Sequence, residues 1–251
     1  MRVRRVSGAV GVTVLAAALL AGCGDGEGDD GGGGSGKPFA GDSADRIASK
    51  AVAATKEADS LRVKGNMRQE GKPVSVDLAV DQEKNCEGTI DTAGAEAEVR
   101  HTNATFYLRG NEEYWKNALK NRPGSEKTLS KVSGKWVKMP ADDASTAGMC
   151  DKQGLVASMD EKKSERKGMK KGGTTTVDGK EAIALTKKGS GGETNTMYVA
   201  TEGKPYILRV TVKGGDAPND ATFGDYGKPV SPKAPDKGET VDLKELAASG
   251  G

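Results

Sequence analysis

Residues 61–81 read LRVKGNMRQEGKPVSVDLAVD. In the first half Leu61, Val63, Gly65 and Met67 alternate with Arg62, Lys64, Asn66 and Arg68. In the second half Val74, Val76, Leu78 and Val80 alternate with Ser75, Asp77, Ala79 and Asp81. A period of two puts one set of side chains on a dry face and the other on a wet face, which is the signature of a strand. Glu70-Gly71-Lys72-Pro73 between them is a turn signal. The stretch is an antiparallel hairpin with one face to bury.

The same reading extends along the chain. Ala95, Ala97 and Val99 alternate with Glu96, Glu98 and Arg100, and residues 105–108 follow the break at Thr102-Asn103. Residues 136–139 form a further strand. Residues 174–177 and 181–186 flank Val177-Asp178-Gly179-Lys180, where Asp-Gly suits a two-residue hairpin turn. Met197 and Val199 precede the turn at 202–205, after which Ile207, Arg209 and Thr211 oppose Tyr206, Leu208, Val210 and Val212. A last strand falls near 221–223. About ten or eleven short strands joined by tight turns predict one large antiparallel sheet. Helices are expected at 43–58, 111–121 and 146–159. The first can be capped by Ser43 or Asp42 and puts Ile47, Ala51, Ala54 and Ala58 on one side. The basic segment 162–171 reads as a solvated loop, its alternative being contact with anionic lipid headgroups.

The chain begins MRVRRVSGAVGVTVLAAALLAGCGDGEGDD. Arg2, Arg4 and Arg5 precede an uncharged apolar run too short for a membrane span of about 20 residues, the pattern of a secretory signal peptide. Leu20-Ala21-Gly22-Cys23 looks like a bacterial lipobox, in which cleavage after residue 22 leaves an acylated Cys23 as the new N-terminus. An ordinary signal peptide with an incidental cysteine is the plainer alternative. Val6-Ser7-Gly8-Ala9 after the arginine pair fits general secretion better than twin-arginine export. Two or more acyl chains hold a protein stably on a bilayer, where one holds it marginally. The expected location is thus the extracytoplasmic face of the cell membrane, held by palmitate-like chains.

Residues 23–42 are rich in Gly, Asp and Glu and bury too little apolar surface to fold, so they read as a flexible tether spanning roughly 25 Å. Within it, residues 31–37 satisfy G-x-x-x-x-G-K, but Pro38 stands where Ser or Thr should hold magnesium, so the match is discounted. Loss of residues 1–22 removes three arginines and takes the formal charge from +2 to −1, which argues against nucleic acid as a partner. Residues 43–251 are long enough for one domain. Aromatics make up 4% of the chain, so its core must rest on aliphatic residues and Met. Cys86 and Cys150 remain after Cys23, and in an exported protein they most simply form a disulfide; two free thiols are the alternative. Such a bond closes a loop of about 60 residues, which contributes about 4 kcal/mol by chain entropy.

The search for chemistry finds little. His101 is the single histidine, too few for a His-based triad or metal site, and its strand position beside Asn103 suits a structural or surface role. Ser164-Glu165-Arg166-Lys167 fits S-x-x-K without the motifs that accompany it. No catalytic residue, metal ligand or cofactor is assigned, and the reading is of a non-enzymatic protein.

Residues 221–235, ATFGDYGKPVSPKAP, resemble the close of the LppX/LprG-type actinobacterial envelope lipoproteins, relatives of the LolA carrier. Thr105 to Asn111 with Tyr114-Trp115, and Lys135 to Pro140, are similar to that group's mid-sheet patterns. The resemblance implies an α+β half-barrel: one strongly curved antiparallel sheet wrapping a few helices around an apolar cavity. It implies a function of holding acyl chains of a lipid or lipidated molecule in transit through the envelope. It singles out no ligand-binding residue, because such sites work through cavity shape. A Cys86–Cys150 bond would limit how far sheet and helices separate, and Met67, Met139, Met149 and Met159 are candidates to fill the space instead. The competing reading is an envelope interaction or sensor protein that docks a protein partner, for which an exposed apolar patch at Tyr114 and Trp115 would be the mark.

Overall fold

The computed structural model describes residues 39–102, 105–140, 148–161 and 166–248. Cys23, the signal sequence and nearly all of the tether lie outside them, as do Asn103, Ser164 and Glu165.

Helix α1 (Ala44–Glu57) begins where Ser43 accepts a bond from the Arg46 N–H at 3.2 Å; Asp42, the other candidate cap, pairs with Lys50 at 3.0 Å. Its buried face is small: Ile47, Ala48, Ala51, Val52 and Ala54. The sheet then starts with β1 (Ser60–Gln69), β2 (Lys72–Asp81), β3 (Cys86–Thr92), β4 (Ala95–Thr102) and β5 (Thr105–Gly110). Helices α2 (Glu112–Ala118) and α3 (Ser125–Val132) lead to β6 (Trp136–Pro140), and α4 (Lys152–Glu161) precedes β7 (Lys170–Val177). Strands β8 (Lys180–Lys188), β9 (Thr194–Ala200), β10 (Ile207–Lys213) and β11 (Asn219–Gly224) complete the meander. A short β12 (Thr240–Asp242) and helix α5 (Leu243–Ala248) close the chain.

All twelve strands form one open sheet in the order β12-β6-β5-β4-β3-β2-β1-β11-β10-β9-β8-β7. The architecture is the expected α+β half-barrel, a single large curved sheet wrapping a few helices. Neighbours pair antiparallel except β12, which runs parallel to β6. The turns Glu70-Gly71, Ala93-Gly94 and Asp178-Gly179 have positive φ at both residues, the geometry whose twist matches that of the flanking strands.

Five features depart from the sequence reading. The sheet has twelve strands, not ten or eleven, and the last strand is β12, not β11. Strand β3, CEGTIDT, carries no apolar alternation, and α3 lies in a polar stretch, so neither shows the period that reveals an element. The helix expected from 146 begins at Lys152, after a turn at 148–150 that leaves Cys150 outside it. In β10 the register shifts between Ile207 and Arg209, so Ile207 and Leu208 are both buried, not on opposed wet and dry faces. The basic segment is also less of a loop than expected: Arg166 is buried, and Lys170 and Lys171 belong to β7.

The segment after β11 explains the 221–235 motif. Tyr226 stacks on Tyr206 with ring centroids 4.0 Å apart, and its hydroxyl donates to the Ile207 carbonyl. Burial pushes the Tyr226 phenol far above its ordinary pKa. The chain then runs as a strap toward the opposite edge of the sheet. The Gly227 N–H donates to the Ser60 carbonyl at 3.1 Å, Arg100 donates to the Lys233 carbonyl at 3.3 Å, and Lys135 donates to the Gly238 carbonyl at 2.8 Å. Pro229, Pro232 and Pro235 have no N–H to leave unpaired, which suits an extended strap outside any ladder. On the outer face the guanidinium groups of Arg100 and Arg109 both lie against Trp136, 4.5 and 4.7 Å from its ring centre. Glu98 bridges those two arginines.

Two consequences can be measured. A Cβ on Gly88 would sit 2.0 Å from the Asp77 carbonyl oxygen of the neighbouring strand, so Gly88→Ala is expected to cost about 1–3 kcal/mol in urea denaturation. Arg62 holds Asp77, and Arg209 holds Asp220, below the usual carboxylate range by hydrogen bonding. A depressed folded-state pKa stabilises above the unfolded value of about 3.9, and that stability is lost as pH falls through the folded value. Asp77→Asn with Asp220→Asn should therefore flatten the acid limb of the stability profile below pH ~4. At neutral pH it should cost no more than about 1 kcal/mol per pair, because both carboxylates are solvated.

Candidate functional site

The inner face of the sheet is apolar along its length. Leu61, Leu78, Val80, Val99, Phe106, Leu185 and Val199 are all buried in one core. Helix α1 covers the part formed by β9 and β10, where Thr55 accepts a hydrogen bond from the Ile207 N–H at 3.2 Å. Helix α2 covers β4 and β5. Its start is set by Asn111, which accepts from the Tyr114 N–H at 2.8 Å. Gly110 lets the Tyr114 ring lie on the strand, for a Cβ there would be 2.3 Å from the ring.

Under α2 the cover is incomplete and leaves a cleft of about 600 Å³. Its floor is Ile90, Ala95, Ala97, Val99 and Leu108, from three adjacent strands. Tyr114 and Ala118 of α2 line the facing wall, and Met149 lines it from the segment before α4. Ala95, Ala97, Val99 and Leu108 are buried, whereas the polar lining residues Lys72, Glu113, Asn117 and Lys120 are exposed. The short alanines of the floor and the seven-residue span of α2 are what leave the space. A volume of 300–1,000 Å³ with an apolar floor and a few polar groups is typical of small-ligand sites. A larger concavity of about 750 Å³ lies between the β8–β9 and β10–β11 loops, but Gly, Lys, Ser, Glu and Asp line it, with Val212 its one large apolar residue. It offers an apolar ligand little to bury against.

Cys86 and Cys150 are bonded, with Cα atoms 5.6 Å apart, and both are buried. The bond ties the first residue of β3 to the turn that carries Met149, and so holds one wall of the cleft against its floor. Two residues on, Lys152 is 1% exposed and donates from Nζ to the Lys56 carbonyl at 2.9 Å. An ammonium suits that place, because carbonyls at a helix C-terminus lack intrahelical partners and carry partial negative charge. Burial lowers the Lys152 pKa, with Asp59 opposing the shift.

His101 is buried on β4, and its Nδ1 is hydrogen-bonded with the Lys84 carbonyl in the β2–β3 turn, so it ties an exposed turn to the sheet. Trp115 is buried and meets Tyr114 edge-on at 5.2 Å, while Tyr114 is half-buried with its phenol pKa raised by burial. The exposed patch that would mark a docking surface there is not formed. Of the expected filler methionines, Met139 is in the core and Met149 is on the cleft wall; the Met159 side chain lies outside the described atoms.

LprF from Mycobacterium bovis superposes with a TM-score of 0.51 at 19% identity, over 75% of this chain and 94% of LprF. The fold is that of LprF. The LppX/LprG-type resemblance read from residues 105–115, 135–140 and 221–235 holds at the level of fold. Lipoprotein LppX from Mycobacterium tuberculosis aligns over 75% of this chain and 97% of its own, at 14% identity and a TM-score of 0.48. No protein-family model matches the chain, and no curated protein matches it. On the LprF fold the α2 cleft opens on the helix-covered face of the sheet. No motif pointed to it: its lining comes from β2, β3, β4, β5, α2 and the Met149 turn.

Cys86→Ser with Cys150→Ser should lower unfolding stability by about 4 kcal/mol in the chain-entropy limit, read by urea denaturation against the oxidised parent. A loss below about 1 kcal/mol would show that the wall is held without the bond.

Proposed function

We propose that the protein is a non-enzymatic, membrane-anchored binding protein that holds acyl chains of a lipid or lipidated molecule in the α2 cleft. The observation that carries this reading is the cleft itself, with its buried apolar floor and exposed polar rim. Binding is by burial: each methylene withdrawn from water contributes about 0.8 kcal/mol, so ~10 of them supply ~8 kcal/mol against the cost of association. The disulfide supports an exported location, since such bonds persist in oxidising compartments. Among the described residues no helix is long and apolar enough to cross a membrane. We assign attachment to Cys23 on the lipobox-like Leu20-Ala21-Gly22-Cys23, with residues 1–22 removed, residues 23–42 serving as leash and residues 43–251 as the binding domain. That leash lets the cleft reach the bilayer and then a receiver, which makes transport through the envelope the natural use. Burial of Trp115 takes away the feature that would have favoured docking of a protein partner instead.

The test is native mass spectrometry with lipid extraction on the chain purified from its own envelope. Acyl species should co-purify and survive delipidation controls. They should be lost in Ala118→Phe, which places a ring in the cleft from an exposed helix position at a folding cost within about 0.5 kcal/mol. A clean mass for the parent, or equal loading of the variant, would sink the reading.

A further inference from the structure

The cleft is graded in polarity in a way that describes its occupant. Its floor is aliphatic and, apart from half-buried Ile90, buried, and every charged group that lines it stands at the exposed rim. Lys72 rises from the sheet wall at the start of β2, and Lys120 stands on the helix wall just past α2. Among the described residues neither has a carboxylate within salt-bridge reach. Glu113 is the one acid of the lining, and its carboxylate accepts from the Asn117 side-chain amide at 3.3 Å. Two ammonium groups less one carboxylate leave a single positive charge at the mouth.

The volume limits the tail. At interior packing density a methylene takes roughly 25 Å³, so a space of this size holds about 24 of them, enough for one chain of about 16–18 carbons but not for two of that length. The cleft volume is about 600 Å³.

We propose that the α2 cleft selects a single-chain amphiphile whose head carries one negative charge, as in a phosphodiester. The tail lies on the Ala95–Val99 floor, and Lys72 and Lys120 bracket the head from the sheet and helix walls. This rests on the cleft being the binding site. Two flexible lysines at a solvated rim give selectivity by charge, with little geometric demand, and the preference weakens as salt screens it.

The experiment is competition read by native mass spectrometry on the full chain, stripped of bound lipid, at low ionic strength. Lysophosphatidylglycerol, lysophosphatidylcholine and monoacylglycerol of equal chain length are offered together. The parent should favour the anionic species over the neutral one by about tenfold, the scale of two solvated ion pairs. Lys72→Gln with Lys120→Gln should abolish that preference while retaining monoacylglycerol binding, which also reports that the variant is folded. Glu113→Gln should increase the preference. Equal binding of all three by the parent, or a preference that survives in the lysine double variant, overturns the headgroup assignment and leaves the acyl-binding function standing. Displacement of the anionic species by inorganic phosphate alone would mean an ion site without an amphiphile, and overturns it too. Failure to bind any of the three removes the acyl-binding function along with it.

Discussion

An apolar face on an open sheet has to be covered. A closed barrel hides its inner face by wrapping round it, but this twelve-stranded sheet stops at β7 and β12 and leaves the concave side to be filled by helices. Helix α1 meets that demand tightly, because alanines make up much of its buried face and let it approach β9 and β10 closely. Helix α2 meets it loosely, because it is short and faces the small side chains Ala95 and Ala97. The difference between those two covers is the origin of the cleft. One end of the sheet is a packed core and the other is a place for something else to pack.

The cleft keeps its shape because its walls are fastened independently of any occupant. Gly110 seats Tyr114 on β5, Asn111 fixes where α2 begins, and the Cys86–Cys150 bond pins the turn bearing Met149. Lys152 adds a second tie, joining the start of α4 to the Lys56 carbonyl in the last turn of α1. A preformed site avoids the entropy of ordering its walls during binding, which for an apolar ligand is a large part of the cost.

The outer face follows a different rule. It meets solvent, and its polar side chains pair across strands: Arg62 with Asp77, Arg209 with Asp220, and Arg100 and Arg109 against Trp136, bridged by Glu98. The Pro-rich strap ties this face together from β1 to the β6 edge and delivers β12 to its parallel partner. The motif that carried the family resemblance thus has a mechanical reason. Tyr226 anchors the start of the strap, and the prolines let it cross the sheet without stranding backbone donors.

Local sequence determined the strands that alternate, such as Val74 to Val80, the turns at Glu70-Gly71 and Asp178-Gly179, and the Ser43 cap of α1. Each of those signals lies within a few residues and obeys local sterics or local hydrogen bonding. Strand β3 was not legible because its place is set by β2 and β4 on either side, with Gly88 making way for the Asp77 carbonyl. The bulge at Ile207 to Arg209 and the parallel pairing of β12 are likewise decided by neighbours distant in sequence. The cleft belongs wholly to the tertiary level. Ile90, Leu108, Tyr114 and Met149 carry no shared spacing, and Ala97 looks like any strand alanine until α2 is laid across it. A hairpin is written in the order of its residues, whereas a cavity is the space that several such elements fail to fill together.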